Sequence, residues 1–183
     1  MPNYQDALEL FLEWTEGDSL RRHAYAVEAA MGAYAKHFGE DEELWRMTGL
    51  LHDMDYEKHP TPQEHPFVGV GVLGQKGYPK EMTDAILGHA AYSGTARETR
   101  LAKTLFACDE LAGFVTACAY VRPTKLDGLM PKSVKKKLKD KAFAAAVSRD
   151  DIRQGIEELG VDLDEHIARV ISGMQADAAR LGF

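Results

Sequence analysis

Four residues with metal-ligand side chains stand inside otherwise apolar stretches: His23 in LRRHAYAV, the doublet His52-Asp53 in WRMTGLLHDMDYEKHP, and Asp109 in LAKTLFACDELAGF. Burying an imidazole or a carboxylate is costly unless something satisfies it. Two further histidines, His65 at the entry of HPFVGVGVLGQKG and His89 in EMTDAILGHAAY, also fall on apolar faces. A lone histidine of that kind is ordinarily a hydrogen-bonded core residue. Taken together, these side chains need either several separate partners or one metal centre, which satisfies them all. Neighbours on a helix point about 100° apart, so His52 and Asp53 can close on one ion only near a helix end, with other helices supplying His23 and Asp109. A set of two imidazoles and two carboxylates suits iron, manganese, cobalt, nickel or zinc better than magnesium, which prefers an all-oxygen shell.

The elements that must position these residues read as helices throughout, so the expected fold class is all-α. Apolar spacing predicts a first helix from Asn3 to about Glu16, capped by Asn3 and stopped by Gly17. Asp18 or Ser19 caps a second, whose stripe Leu20, His23, Ala24, Val27, Ala30, Met31 and Tyr34 puts His23 on the buried face. A third runs from about Asp41 and ends around His52-Asp53-Met54. In the fourth, Pro66 suits a first turn, Gly69 and Gly71 would let another backbone approach, and Gly77 is a stop. A fifth carries Met82, Ala85, Ile86 and His89 on one face. The longest is predicted from about Glu98 to Tyr120, with Asp109 the only charge in its stripe. Beyond it, MPKSVKKKLKDKAF, SRDDIRQGIEELG and VDLDEHIARVISGMQADAARL each read as a helix. The best boundary is the Pro123 to Pro131 turn region, giving a core of residues 1–122 and a helical extension of residues 123–183 packed on it.

Composition narrows the setting. With 183 residues, 45% of them hydrophobic, the chain can bury a full core. A net charge of -7 offers no general attraction to a nucleic-acid polymer or an anionic membrane. Neither a membrane span nor a signal peptide is legible, so a cytoplasmic protein acting on a small molecule is expected. Cys108 and Cys118 form no CxxC pair and read as small core residues. The oligomeric state is left open.

Order and context together, His23, then His52-Asp53, then Asp109, resemble the HD superfamily of metal-dependent phosphohydrolases over roughly residues 19 to 122. The wider string, HDMDYEKHP, EHPFVGVGVL, ILGHA and CDELAGFV, is similar to the HDIG-type subgroup, although Met54-Asp55 stands where that signature has Ile-Gly. The resemblance implies an HD-type helical bundle, with His65 and His89 ligating a second ion and Asp53 bridging the two. The tail KKKLKDKAFAAAVSRDDIRQGIEELG looks like that of bacterial predicted HD hydrolases.

Two divalent transition-metal ions so held could steady a hydroxide and the leaving oxygen in attack on phosphorus. The expected function is therefore hydrolysis of a phosphoester or phosphoanhydride in a small phosphorylated metabolite, a nucleotide or dinucleotide, with His52 and Asp53 at the catalytic centre. A cyclic-dinucleotide substrate ranks low, because no GYP residues follow His89, where the chain reads HAAYSGTARE. A di-iron oxygenase and a non-catalytic nucleotide or metal sensor are the alternatives.

A phosphate also calls for cations. Lys58, Arg97, Lys103, Arg122, Lys125 and the helix bearing Lys135, Lys136, Lys137, Lys139 and Lys141 are candidates, with Lys125, Lys136 and Lys139 foremost; the other reading of that helix is a solvated face paired with acidic residues. His59, with Tyr56 and Glu57 beside it, could orient a phosphate or donate a proton, or be a loop residue without a role. His37 and His166 sit in polar helical sequence and call for no functional account.

Overall fold

Most helix starts are set by side chains that accept otherwise unpaired backbone N–H groups. In the computed structural model, which describes residues 1–183, Asn3, Asp41, Thr99, Ser148 and Asp162 do so. They open α1 (Tyr4–Trp14), α3 (Glu42–Leu51), α6 (Arg100–Tyr120), α8 (Arg149–Leu159) and α9 (Leu163–Ala176). Between them lie α2 (Asp18–Phe38), α4 (Phe67–Gln75), α5 (Lys80–His89), a 3-10 turn at Ala91–Ser93 and α7 (Pro131–Leu138). No strand is present, as expected of an all-α chain. No helix is long and apolar enough to cross a membrane.

The α1–α2 junction departs from the sequence reading. Thr15, not Gly17, ends α1, and Gly17 is itself the N-cap of α2, which has no side-chain cap from Asp18 or Ser19. The junction is secured from a distance: the Glu57 carboxylate accepts the backbone N–H of Glu16 and Gly17 at 2.6 and 3.0 Å. That assigns Glu57 to holding the chain rather than to substrate.

The two 21-residue helices, α2 and α6, pack against each other at the centre. Helices α3 and α9 lie on α2, α5 and α8 on α6, α1 on α3, and α4 on α5. Apolar side chains from α8 and α9, including Ile152, Ile167, Val170 and Met174, belong to the same continuous core as Val27 and Leu105. Two glycines permit this docking. A Cβ at Gly155 would lie 2.6 Å from the Ala107 Cα of α6, and one at Gly173 would lie 2.5 Å from the Ala29 carbonyl oxygen of α2. Alanine favours a helix over glycine by about 1 kcal/mol, but overpacking against backbone costs roughly 1–3 kcal/mol. Gly155→Ala is therefore expected to lower stability in urea unfolding; a variant as stable as the parent would show that α8 is free to shift off α6.

Two buried polar groups have no signature in the sequence. Glu28 is fully buried and accepts from the Tyr4 hydroxyl at 2.7 Å, from Arg46 at 2.6 Å and from Arg180 at 2.9 Å, tying α1, α3 and the C-terminal segment to α2. His166, expected in polar surroundings, is instead completely buried. Its Nε2 donates to the Ala107 carbonyl at 2.9 Å and its Nδ1 accepts from the Tyr34 hydroxyl. The polar sequence around it belongs to the solvent face of α9, whereas His166 shares the inward face with Val170 and Met174.

Burial pushes the His166 pKa down to about 4. The unfolded chain, with a value near 6.5, binds the extra proton between those limits, so stability is lost as pH falls from 6.5 towards 4 and is fully present above. The contribution is roughly 3 kcal/mol. Unfolding free energies of wild type and His166→Gln, compared at pH 4.5 and 7, should differ more at pH 7; a constant difference would refute a neutral buried imidazole.

Candidate metal centre

Five segments bring the histidines and aspartates together. Helix α2 supplies His23, the end of α3 supplies His52 as its C-cap and Asp53 just beyond, the approach to α4 supplies His65, the last turn of α5 supplies His89, and the middle of α6 supplies Asp109. Helix α3 ends at Leu51, and although His52, its C-cap, keeps helical dihedrals, the His52 and Asp53 side chains at this helix end come within 3.3 Å of each other.

Asp53 lies at the middle of the cluster. Its Oδ2 is 3.3 Å from His52 Nε2 and 3.8 Å from His23 Nε2, while its Oδ1 is 3.3 Å from His65 Nε2 and 3.2 Å from His89 Nε2. Asp109 Oδ1 closes the first side, 2.9 Å from His23 Nε2 and 3.5 Å from His52 Nε2. The donor atoms of His23, His52 and Asp109 fall within 4.8 Å of one another, as do those of His52, Asp53 and His89. Ligands held about 2.1 Å from one ion stand roughly 3.0–3.4 Å apart. The observed spacings are of that order.

Three imidazoles are fixed from behind. His52 Nδ1 donates to the Gly49 carbonyl at 2.8 Å, His89 Nδ1 to the Ile86 carbonyl at 2.5 Å, and His65 Nδ1 to Asp55 Oδ1 at 2.7 Å. A carbonyl can only accept, so Nδ1 carries the hydrogen in His52 and His89, leaving Nε2 to the cluster. His52 Nε2 is nevertheless buried without a hydrogen-bond partner. An orphaned lone pair between carboxylates is what a cation would occupy.

The electrostatics call for the same charge. Burial opposes an imidazolium at His52, yet the Asp53 and Asp109 carboxylates outweigh it and hold its pKa well above the usual value. Burial likewise opposes the Asp53 anion, but the positive charge of His52, and after it the His89 imidazole, keep it well below the carboxylate range. Asp109 is lowered in the same way, burial being overcome first by His52 and then by His23. The donor set therefore fits one or more divalent cations.

The centre opens to solvent through His23, Asp53 and Asp109, whose side chains are 25%, 20% and 18% exposed, whereas His52 is closed off. Tyr56 and Tyr92 border it on the His65 side. Tyr56 meets the His65 ring edge-on at 5.1 Å, and Tyr92 donates its hydroxyl to the His65 carbonyl at 3.0 Å; both rings are among the exposed large side chains. Arg97 braces the end of α5: it donates to the Gly88 carbonyl, pairs through two hydrogen bonds with Glu158 of α8, and lies over the Phe106 ring.

The structure does not bring the candidate cations to this opening. Lys136 lines a surface cavity of about 320 Å³ with Arg122, Lys137, Cys118 and Val121. Cys118 of α6 and its C-cap Val121 lie roughly 14–18 Å beyond Asp109 along the helix axis. Lys139 lines a different cavity, with Arg149 and Arg153. Lys125 donates to the Tyr120 carbonyl, Lys58 lies over Trp14, and Lys135 pairs with Asp164. His59 is held by Glu64 at 3.1 Å and faces Trp14 of α1. Gly69 admits the Asp55 side chain rather than a backbone, and Gly71 has open space beside it. Asp55 itself, a buried neighbour of His65, escapes a reading by motif because it stands at a signature position occupied by glycine; its carboxylate two residues past the doublet is the available signal.

A family model described as "HD domain" matches residues 20–113, just over half of the chain and all six clustered side chains. The chain belongs to the HD domain family. Members of this family are generally metal-dependent hydrolases. The chain is also similar to Ribonuclease Y of Acholeplasma laidlawii, at 31% identity over 97 residues, 52% of this chain and 18% of that protein. Ribonuclease Y of Thermus thermophilus matches at 31% over 97 residues, covering 52% of this chain and 17% of its own. The chain thus spans under a fifth of the length of these curated relatives. No solved structure matches.

Given where the lysines lie, replacing Lys136 and Lys139 together by alanine should leave metal content unchanged and the KM for a small phosphomonoester within about threefold, since charges beyond about 10 Å are largely screened at physiological salt. A tenfold rise in KM would put them at the substrate.

Proposed function

We propose that this HD domain protein is a two-metal phosphohydrolase acting on a small phosphorylated molecule, a nucleotide being the favoured class. The observation that carries the reading is the division of Asp53, with one oxygen among His23, His52 and Asp109 and the other between His65 and His89. In this reading His23, His52, Asp53 and Asp109 hold one ion and Asp53, His65 and His89 the other. Iron, manganese, cobalt, nickel or zinc suits the mixed donors better than magnesium. The ions, when bound, supply Lewis acidity that acidifies a water and offsets charge on the phosphate.

The chain's own residues do the positioning. The Nδ1 anchors of His52, His65 and His89 keep their rings from rotating, so the donor set is in place before substrate arrives. His52 and Asp53 lie where the reacting phosphate would sit, with His52 shielded and Asp53 reachable from solvent. Lys58, Lys125, Lys135 and Arg97 are engaged elsewhere, over Trp14, on the Tyr120 carbonyl, with Asp164 and with Glu158, and Lys136 and Lys139 line other cavities. Recognition of the phosphate then falls to the bound ions, and the role open to Lys125, Lys136 and Lys139 is confined to outlying parts of a larger ligand. Tyr56 and Tyr92 offer aromatic faces on the His65 rim, which suits a nucleobase. His59, one loop away, is a candidate for contact with the same part of the ligand.

The likeness to proteins named Ribonuclease Y favours phosphate-ester cleavage over dioxygen chemistry. It covers only 52% of the chain, and the chain's net charge of -7 favours a small ligand over an RNA polymer. The cytoplasm is the expected setting, where Cys108 and Cys118 remain free thiols.

The test is metal analysis of the purified protein followed by a screen of phosphorylated metabolites under air and under nitrogen. Asp53→Ala should lose bound metal and reduce hydrolysis by about a hundred- to a thousandfold, the scale of losing a principal electrostatic stabiliser. Turnover that requires oxygen would favour the oxygenase alternative, and hydrolysis that survives in Asp53→Ala would place the reaction elsewhere.

A further inference from the structure

Asp55 is almost wholly buried, at 1% exposure, and both of its oxygens are engaged. Oδ1 accepts from His65 Nδ1 at 2.7 Å and Oδ2 from the backbone N–H of Gly69 at 2.6 Å. Gly69 lies in the first turn of α4, whose N-cap, Pro66, has no side chain able to accept a hydrogen bond. Room for the carboxylate depends on Gly69 being glycine, since a Cβ there would come within 3.0 Å of Asp55 Cγ and Oδ2. One side chain thus ties the turn after His52-Asp53 to the start of α4, with His65 between them.

His52 and His89 are anchored by backbone carbonyls of their own helices, at Gly49 and Ile86. His65 follows no helix that could do this, because it precedes α4. Its anchor is a carboxylate on another segment. A full negative charge behind an imidazole raises the electron density at Nε2 and fixes the tautomer more firmly than a neutral carbonyl. The ring so held presents Nε2 to Asp53 Oδ1 at 3.3 Å. Glycine, which the HDIG pattern has at this position, could do neither.

From this geometry, and resting on the two-ion reading above, we propose that Asp55 is a positioning residue for the ion on the Oδ1 side of Asp53: it orients His65 and strengthens it as a donor, making occupancy of that side depend on a side chain outside the ligand set. The ion on the His23, His52 and Asp109 side has no such dependence. Gly69 belongs to the same device, as the residue that leaves space for the carboxylate.

The experiment titrates manganese(II) alone into metal-free full-length protein, counts ions per chain, and reads electron paramagnetic resonance for a coupled pair against an isolated ion. The proteins are wild type, Asp55→Asn, Gly69→Ala and His65→Ala. Asp55→Asn keeps the volume but removes the charge and turns one acceptor into a donor facing an N–H. Gly69→Ala leaves Asp55 in the chain, pushes its carboxylate aside, and favours helix α4, so it carries the test if Asp55→Asn does not fold.

Both variants should bind the second ion about ten- to a hundredfold more weakly, and the first within about threefold of wild type, so that the coupled signal gives way to that of an isolated ion. Wild-type affinity for the second ion in folded variants, even with lower resistance to urea, would reduce Asp55 to a helix cap and overturn the proposal. Equal weakening of both ions would overturn it too. A wild type that binds one ion only, or a His65→Ala protein that still binds a coupled pair, would bring down the two-ion reading itself.

Discussion

The placement of one carboxylate, Asp53, among imidazoles on both of its oxygens governs how the chain can fold. Such a group is tolerable only if every neighbour arrives at once, because an aspartate left in an apolar interior without them would be protonated or driven to the surface. Helices α2, α3, α5 and α6 and the segment entering α4 must therefore meet at one point. Their apolar faces, and the end of α3 at Leu51, are arranged to allow it. The candidate site and the packing are in this sense the same constraint, since the helices that converge on the His/Asp cluster are those that build the core.

The second level of organisation is what prevents the cluster from collapsing on itself. Two aspartates and four histidines with free rings could pair off internally in several ways. Anchoring three Nδ1 atoms on carbonyls or on Asp55 removes most of those alternatives and leaves His52 Nε2 without a partner. An unsatisfied buried atom is a local cost that a protein otherwise avoids. At His52 it stands where a cation can repay it.

The clustered residues are legible from sequence because they break a pattern: a histidine or aspartate on an apolar stripe is visible against its neighbours, as His23, His89 and Asp109 are. The helices are legible through the spacing of their apolar residues, and α1 also through its Asn3 cap. What stays hidden depends on partners far apart in the chain. The burial of Glu28 is explained by Tyr4, Arg46 and Arg180, that of His166 by Tyr34 and Ala107, and no periodicity links these positions. Asp55 is hidden by its place beside a recognisable motif. The density of lysines on α7 is plain in the sequence, while the distance of the cavity that Lys136 lines from Asp109 is a property of how α6 extends past the cluster.

The brace formed by Arg97 ends at Glu158, well outside the stretch by which the HD family is recognised. His89 thus belongs to the shared module, but the support beneath its helix end comes from beyond it. The stretch from 20 to 113, cut out and given another protein's tail, would carry every clustered side chain and still lack a floor under one of them, as well as the cover that Gly155 and Gly173 press against α6 and α2. Inheritance of such a centre is therefore not the inheritance of a portable part: a chain that keeps the ligands has to supply its own masonry around them.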